Sequence, residues 1–111
     1  MAIDIKMYLH DIAVSIRAIE QHISTVNSVE EFENNLLITD AIERRLSIIG
    51  EALNTADKQN PNLTITNKSE IISLRHLLVH HYNDTDYLII WQIIHNHLPI
   101  LKEEIEQLLN D

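Results

Sequence analysis

Eight consecutive residues, Arg75-His76-Leu77-Leu78-Val79-His80-His81-Tyr82, hold three of the seven histidines and one of the three tyrosines in the chain. Arginine stays protonated near neutral pH, whereas histidine can gain or lose a proton there. A fixed cation beside a proton carrier suits phosphate chemistry. Arg75 could hold a phosphate and stabilise charge that develops on it, and His80 could move a proton. The two lie five residues apart, about 140° around an ideal helix, so they do not share a face on one straight helix. Tyr82, seven residues from Arg75, returns near the same face, where its phenol could hydrogen-bond a phosphate or position the guanidinium.

Ordinary structural roles account for the same residues: Arg75 paired with a carboxylate, His80 hydrogen-bonded in the core, Tyr82 packed near a helix end. Spacing by itself favours those roles. His76 and His80, four residues apart, could also share a helix face as metal ligands, with His81, His95 and His97 in addition. The stretch lacks the acidic base of an HExxH site, and a catalytic zinc takes three protein ligands with supporting contacts, so surface or core histidines fit better. Glu51, next to the single glycine, Gly50, could orient Arg75 or a histidine, or be a solvated carboxylate. Gly50 itself points to close backbone approach or a tolerated local cost. The basic pair Arg44-Arg45 could touch RNA, but ion pairs with Asp40 or Glu43 explain it more cheaply.

The elements that must position these groups are helical. One glycine and two prolines in 111 residues leave little turn chemistry. Ile5, Leu9, Ile12, Ile16, Ile19 and Ile23 recur at steps of three and four and predict a helix from Ile3 to about Val26. Ser28-Val29-Glu30-Glu31 reads as a capping box, opening a helix through Phe32, Leu36, Leu37, Ile42, Leu46, Ile49 and Leu53 to near Asp57. The segment from Lys58 to Thr66, with Pro61, is the main loop. Asn67 and Glu70 can cap a third helix that carries Arg75–Tyr82, and Asn83 to Asp86 form a polar turn. A last helix spans roughly Tyr87 to Leu109, kinked or divided by Pro99. Its apolar residues, Leu88, Ile89, Ile90, Trp91, Ile93, Ile94 and Leu98, cover more than one face, which suits burial in the bundle or across a subunit interface. The expected fold is an all-α, up-and-down bundle of four or five helices in a single domain over residues 1–111.

A chain this long can bury roughly 65% of its unfolded surface, enough for a core without staples. With no cysteine, disulfides and thiolate metal sites are excluded. Seventeen acidic against eight basic residues, a formal net charge of −9, argue against broad, sequence-independent nucleic-acid binding. Any nucleic-acid role must use a local site. The charged N-terminal stretch and the lack of a long apolar run predict no signal peptide and no membrane span, hence a cytoplasmic protein.

Taken together and in order, the segment Asp40-Ala41-Ile42-Glu43-Arg44-Arg45-Leu46-Ser47-Ile48-Ile49-Gly50-Glu51-Ala52, then Arg75-x4-His80-x-Tyr82, then Trp91-Gln92-Ile93-Ile94 and Leu98-Pro99, resemble the HEPN superfamily. More narrowly, the pattern is similar to the HepT-type toxins of toxin–antitoxin pairs, over nearly the whole chain. The resemblance implies an all-helical homodimer whose R-x4-H motifs meet in a cleft and cleave RNA with no metal or other cofactor. Arg75 and His80 are then catalytic, with His76, Glu51 and Tyr82 as supports. Two protomers facing each other would also remove the need for Arg75 and His80 to share a helix face. The implied reaction is attack of the ribose 2′-hydroxyl on the adjacent phosphate, leaving a cyclic phosphate. The implied partner is a minimal nucleotidyltransferase antitoxin that transfers AMP from ATP to Tyr82, adding bulk and negative charge beside Arg75. A binding module that does not cut RNA is the alternative. Two departures from the family pattern stand out: His76 occupies a position that is often asparagine, and Ile65-Thr66-Asn67-Lys68 replaces a common proline–tryptophan pair.

Overall fold

The computed structural model describes residues 3–80 and 86–110, apart from the side chains of Ile3, Leu77, Val79 and His80. Among the described residues every regular element is a helix: α1 (Ile3–Ile23), α2 (Val29–Glu33), α3 (Leu36–Gln59), α4 (Lys68–His80), α5 (Tyr87–Asn96) and α6 (Leu98–Asn110). The apolar stripe of α1 is the clearest agreement with expectation, because Leu9, Ile12, Ile16 and Ile19 are almost wholly buried. At 24 residues, α3 is about 36 Å long and runs most of the molecule's 41 Å long axis. It packs against α1 on one side and α4 on the other, and α6 closes the bundle against α1.

Two helices replace the single one expected from Ser28 to Asp57. Ser28 does act as the cap, its Oγ accepting from the Glu31 N–H at 3.2 Å. Glu31 reaches back one residue further than in the usual box, its Oε2 accepting from the Asn27 N–H at 2.8 Å. The chain then breaks at Asn34-Asn35. Asn34 closes α2, and Asn35 opens α3 by accepting from the Ile38 N–H at 3.1 Å. Asparagine competes for backbone hydrogen bonds, which favours caps over helix interiors. The break rotates the next residues away from the core: Leu36 and Leu37 are 70% and 83% exposed and do not continue the buried stripe.

Helix count also rises at the C-terminal end, where His97 closes α5 and Pro99 lies in the first turn of α6, so the proline divides this segment. Six helices result among the described residues, against the four or five expected. Within this chain α5 buries Ile90 and Ile94 but leaves Leu88 and Ile89 half exposed. Asn67 adopts a left-handed backbone (φ 58°) at the entry to α4 and does not cap it in the extended conformation. The approach to α4 is tied down instead by Lys68, whose Nζ lies 2.7 Å from Asp57 Oδ1 and donates to the Leu63 carbonyl at 3.0 Å. No helix among the described residues is long and apolar enough to cross a membrane.

Candidate active site

α3 and α4 run antiparallel, as the pairs Asp57–Lys68 and Glu51–Arg75 show. The single glycine sets their separation. A Cβ at Gly50 would lie 3.2 Å from the Ile71 carbonyl oxygen, 3.4 Å from that of Ile72 and 3.5 Å from the Arg75 nitrogen. Gly50 therefore brings the backbone of α4 against α3 at the residue that carries the motif guanidinium, which realises the close-approach reading. Gly50→Ala should change stability by less than about 1 kcal/mol, since alanine's better helix propensity offsets the tight contact. Gly50→Val should destabilise by about 1–3 kcal/mol, because its extra methyl groups have only backbone to displace. Urea unfolding of the two variants checks the difference.

Arg75 sits on α4 with Nε 2.8 Å from Glu51 Oε1, and the two side chains are 60% and 53% exposed. Glu51 is thus a partner of Arg75, one of the alternatives open from sequence. Next to the pair lies a groove of about 470 Å³, lined in part by Gly50, Glu51, Arg75 and His76. Arg75, His76 and Glu51 are consequently brought together from two consecutive helices. The side chain of His80 and the whole of Tyr82 and His81 fall outside the described residues, although the backbone of α4 extends to His80.

Asn54, Thr55 and Ile72 complete the groove and were missed in the sequence reading. Their signal was helical spacing: Asn54 and Thr55 follow Glu51 by three and four residues, and Ile72 precedes Arg75 by three. The basic pair behaves differently from expectation, since among the described residues neither Arg44 nor Arg45 forms an ion pair with Asp40 or Glu43. His95 is engaged with Trp91, at 4.2 Å between ring centroids and through a 2.8 Å hydrogen bond from Nδ1 to the Trp91 carbonyl. Among the described residues no three histidine, aspartate or glutamate side chains gather as metal ligands.

Upstream on α3, burial and then the neighbouring charge of Asp40 push the Glu43 carboxyl above its ordinary value of 4.5. Burial first, and next the Glu43 charge, push the Tyr87 phenol upward, against a lowering hydrogen bond from Thr39. Because folded Glu43 holds its proton more tightly than unfolded Glu43, it favours the folded state below the ordinary value. That contribution is lost as pH rises through the raised one. Glu43→Gln should therefore raise the melting temperature at pH 7 and leave it unchanged well below the ordinary carboxyl value of 4.5. An equal gain at both pH values would mean that the effect is not titration of this group.

The family model described as "Ribonuclease HepT-like" matches residues 12–108, so it takes in α3, the groove and the whole arginine–histidine stretch. This chain belongs to the HepT-like ribonuclease family. Among its relatives is a protein of Methanocaldococcus jannaschii named "Putative RNase MJ1380", 34% identical over 107 residues that cover 93% of this chain and 94% of that one. Another, from Thermococcus cleftensis and named "Probable ribonuclease HepT", is 31% identical over 107 residues with the same coverage. No solved structure matches the chain. In this HepT-like chain the motif arginine is thus an exposed, carboxylate-braced cation at a groove between α3 and α4.

Proposed function

We propose that this HepT-like chain is a metal-independent endoribonuclease and the toxin of a toxin–antitoxin pair. The observation that carries the reading is Arg75: a guanidinium accessible to solvent, held by Glu51 at 2.8 Å beside a groove, on the helix that leads to His80. In the reaction the ribose 2′-oxygen bonds to the adjacent phosphorus and the 5′-oxygen leaves, giving a 2′,3′-cyclic phosphate and a 5′-hydroxyl. His80 handles a proton of this exchange, and Arg75 stabilises the charge on the five-coordinate phosphorus. Glu51 orients Arg75, and His76 adds a polar group at the groove. An acidic chain can bind RNA in this way because a few local contacts suffice.

Two copies act together, with the half-exposed Leu88 and Ile89 of α5 supplying apolar area for the contact. The partner antitoxin is a minimal nucleotidyltransferase that joins the α-phosphorus of ATP to the Tyr82 phenol oxygen and releases pyrophosphate. The new phosphate competes with RNA for Arg75.

Total RNA incubated with the purified protein in EDTA, beside Arg75→Ala and His80→Ala variants, tests the reading. Cleavage with cyclic-phosphate ends in the wild type alone is the expected result. Intact RNA with a folded wild-type protein free of AMP would replace this reading by that of a helical binding module that does not cut RNA.

A further inference from the structure

Half of the groove's wall is still without a role. Beside Arg75 and Glu51, its lining includes Asn54 and Thr55 from α3 and Ile72 from α4. Asn54 is half-buried, and among the described residues nothing in the protein hydrogen-bonds its side-chain amide. Its donor and its acceptor are therefore both available to an incoming ligand. Its neighbour one turn away, Glu51, offers carboxylate oxygens to the same space. Ile72 and His76 line the same groove and bring an apolar side chain and an aromatic ring to it. At about 470 Å³ the groove has ample room for one planar heterocycle.

We infer that this groove is a nucleobase subsite for the single-stranded RNA next to the scissile phosphate, and that Asn54 is the residue that reads the base. The inference rests on the ribonuclease reading for the position of the phosphate, at Arg75. Recognition of unpaired RNA works by stacking a splayed base and hydrogen-bonding its edge. An amide meets adenine through paired bonds, its oxygen accepting from the exocyclic amine and its nitrogen donating to the adjacent ring nitrogen. Cytosine presents the same amine-and-ring-nitrogen edge. An amide turned over can pair with uracil as well, so Glu51 makes the choice: its carboxylate accepts from an amine and repels the carbonyl that uracil places there, while Asn54 holds the base edge against it. The subsite therefore selects adenine or cytosine over uracil.

Binding separates this selection from catalysis. Fluorescently labelled oligoadenylate, oligocytidylate and oligouridylate of equal length would be titrated into the His80→Ala protein, with and without Asn54→Ala. Adenylate and cytidylate should bind about tenfold more tightly than uridylate, as expected for one paired base contact, and Asn54→Ala, which releases the base edge from Glu51, should shrink the difference. Equal binding of the three oligonucleotides, or a preference undiminished in Asn54→Ala, overturns the subsite. Asn54→Leu, which keeps the size and removes both the amide donor and the amide acceptor, serves if the alanine variant does not fold; it should shrink the preference in the same way. Wild-type cleavage sites mapped by sequencing should be enriched for adenine or cytosine beside the cut, and Asn54→Ala should flatten that enrichment. A wild type that cuts no RNA while retaining an Asn54-dependent base preference would sink the ribonuclease reading and leave the subsite standing.

Discussion

Arg75→Ala is expected to lower RNA cleavage by about 10²–10³-fold, the loss typical of removing one preorganised charge stabiliser from a transition state. Its effect on folding should be small. The Arg75–Glu51 pair is more than half exposed on both sides, and exposed ion pairs contribute only about 0–1 kcal/mol. A loss of activity at nearly constant melting temperature would therefore locate the role of Arg75 in the reaction. Arg75→Lys discriminates further: lysine keeps the charge but cannot present two parallel N–H donors to a phosphate, so it should recover only part of the rate. Full activity in Arg75→Lys would mean that charge alone suffices, and full activity in Arg75→Ala would remove this residue from the mechanism. Rates measured on a single labelled RNA, alongside thermal melts, give both answers.

Phe32→Ala should cost about 3–5 kcal/mol of stability, a large share of the roughly 5–15 kcal/mol available to a domain. Phe32 is wholly buried, although it lies on α2, a helix of only five residues. So short a helix cannot persist on its own hydrogen bonds. What holds it is the Phe32 ring, which meets Tyr87 edge-on at 5.8 Å and Trp91 at 5.8 Å. Removing the ring leaves a cavity and also gives up aromatic contacts worth about 0.5–1.5 kcal/mol each. The N-terminal half of α5 should loosen with α2, since both Tyr87 and Trp91 lie on it. Trp91 is the only tryptophan in the chain, so its fluorescence reports on this junction directly. Urea unfolding followed at Trp91 should show a lowered midpoint in Phe32→Ala and a partial return in Phe32→Leu. An unchanged midpoint would mean that α2 is anchored by something other than this side chain.

Several features could be read before any fold was known because they depend on local physics. The stripe of α1 needs only the 3.6-residue period, and its residues are buried as that period requires. Pro99 lacks an N–H whichever partner the helix has, so a division near it follows from covalent structure. The same local logic was available at Asn34-Asn35, where two cap-forming residues stand together, but the apolar pattern on either side masked the break. Leu36 and Leu37 show the consequence. Their hydrophobicity suggested core positions, and the restart of the helix turned them to solvent.

The sequence by itself determined an all-helical chain, the family to which its motifs belong, and the run from Arg75 to His80 on one helix, because residue types and short-range periodicity carry that information. Only the tertiary structure decided which of seventeen acidic residues meets Arg75. Glu51, 24 positions earlier in the chain and next to the single glycine, is a candidate from the sequence, but there it could equally meet a histidine or solvent. The choice is made by the packing of α3 on α4, which Gly50 allows at backbone contact distance. The same packing draws Asn54 and Ile72 into one groove, since surfaces on two antiparallel helices become neighbours only when the helices dock.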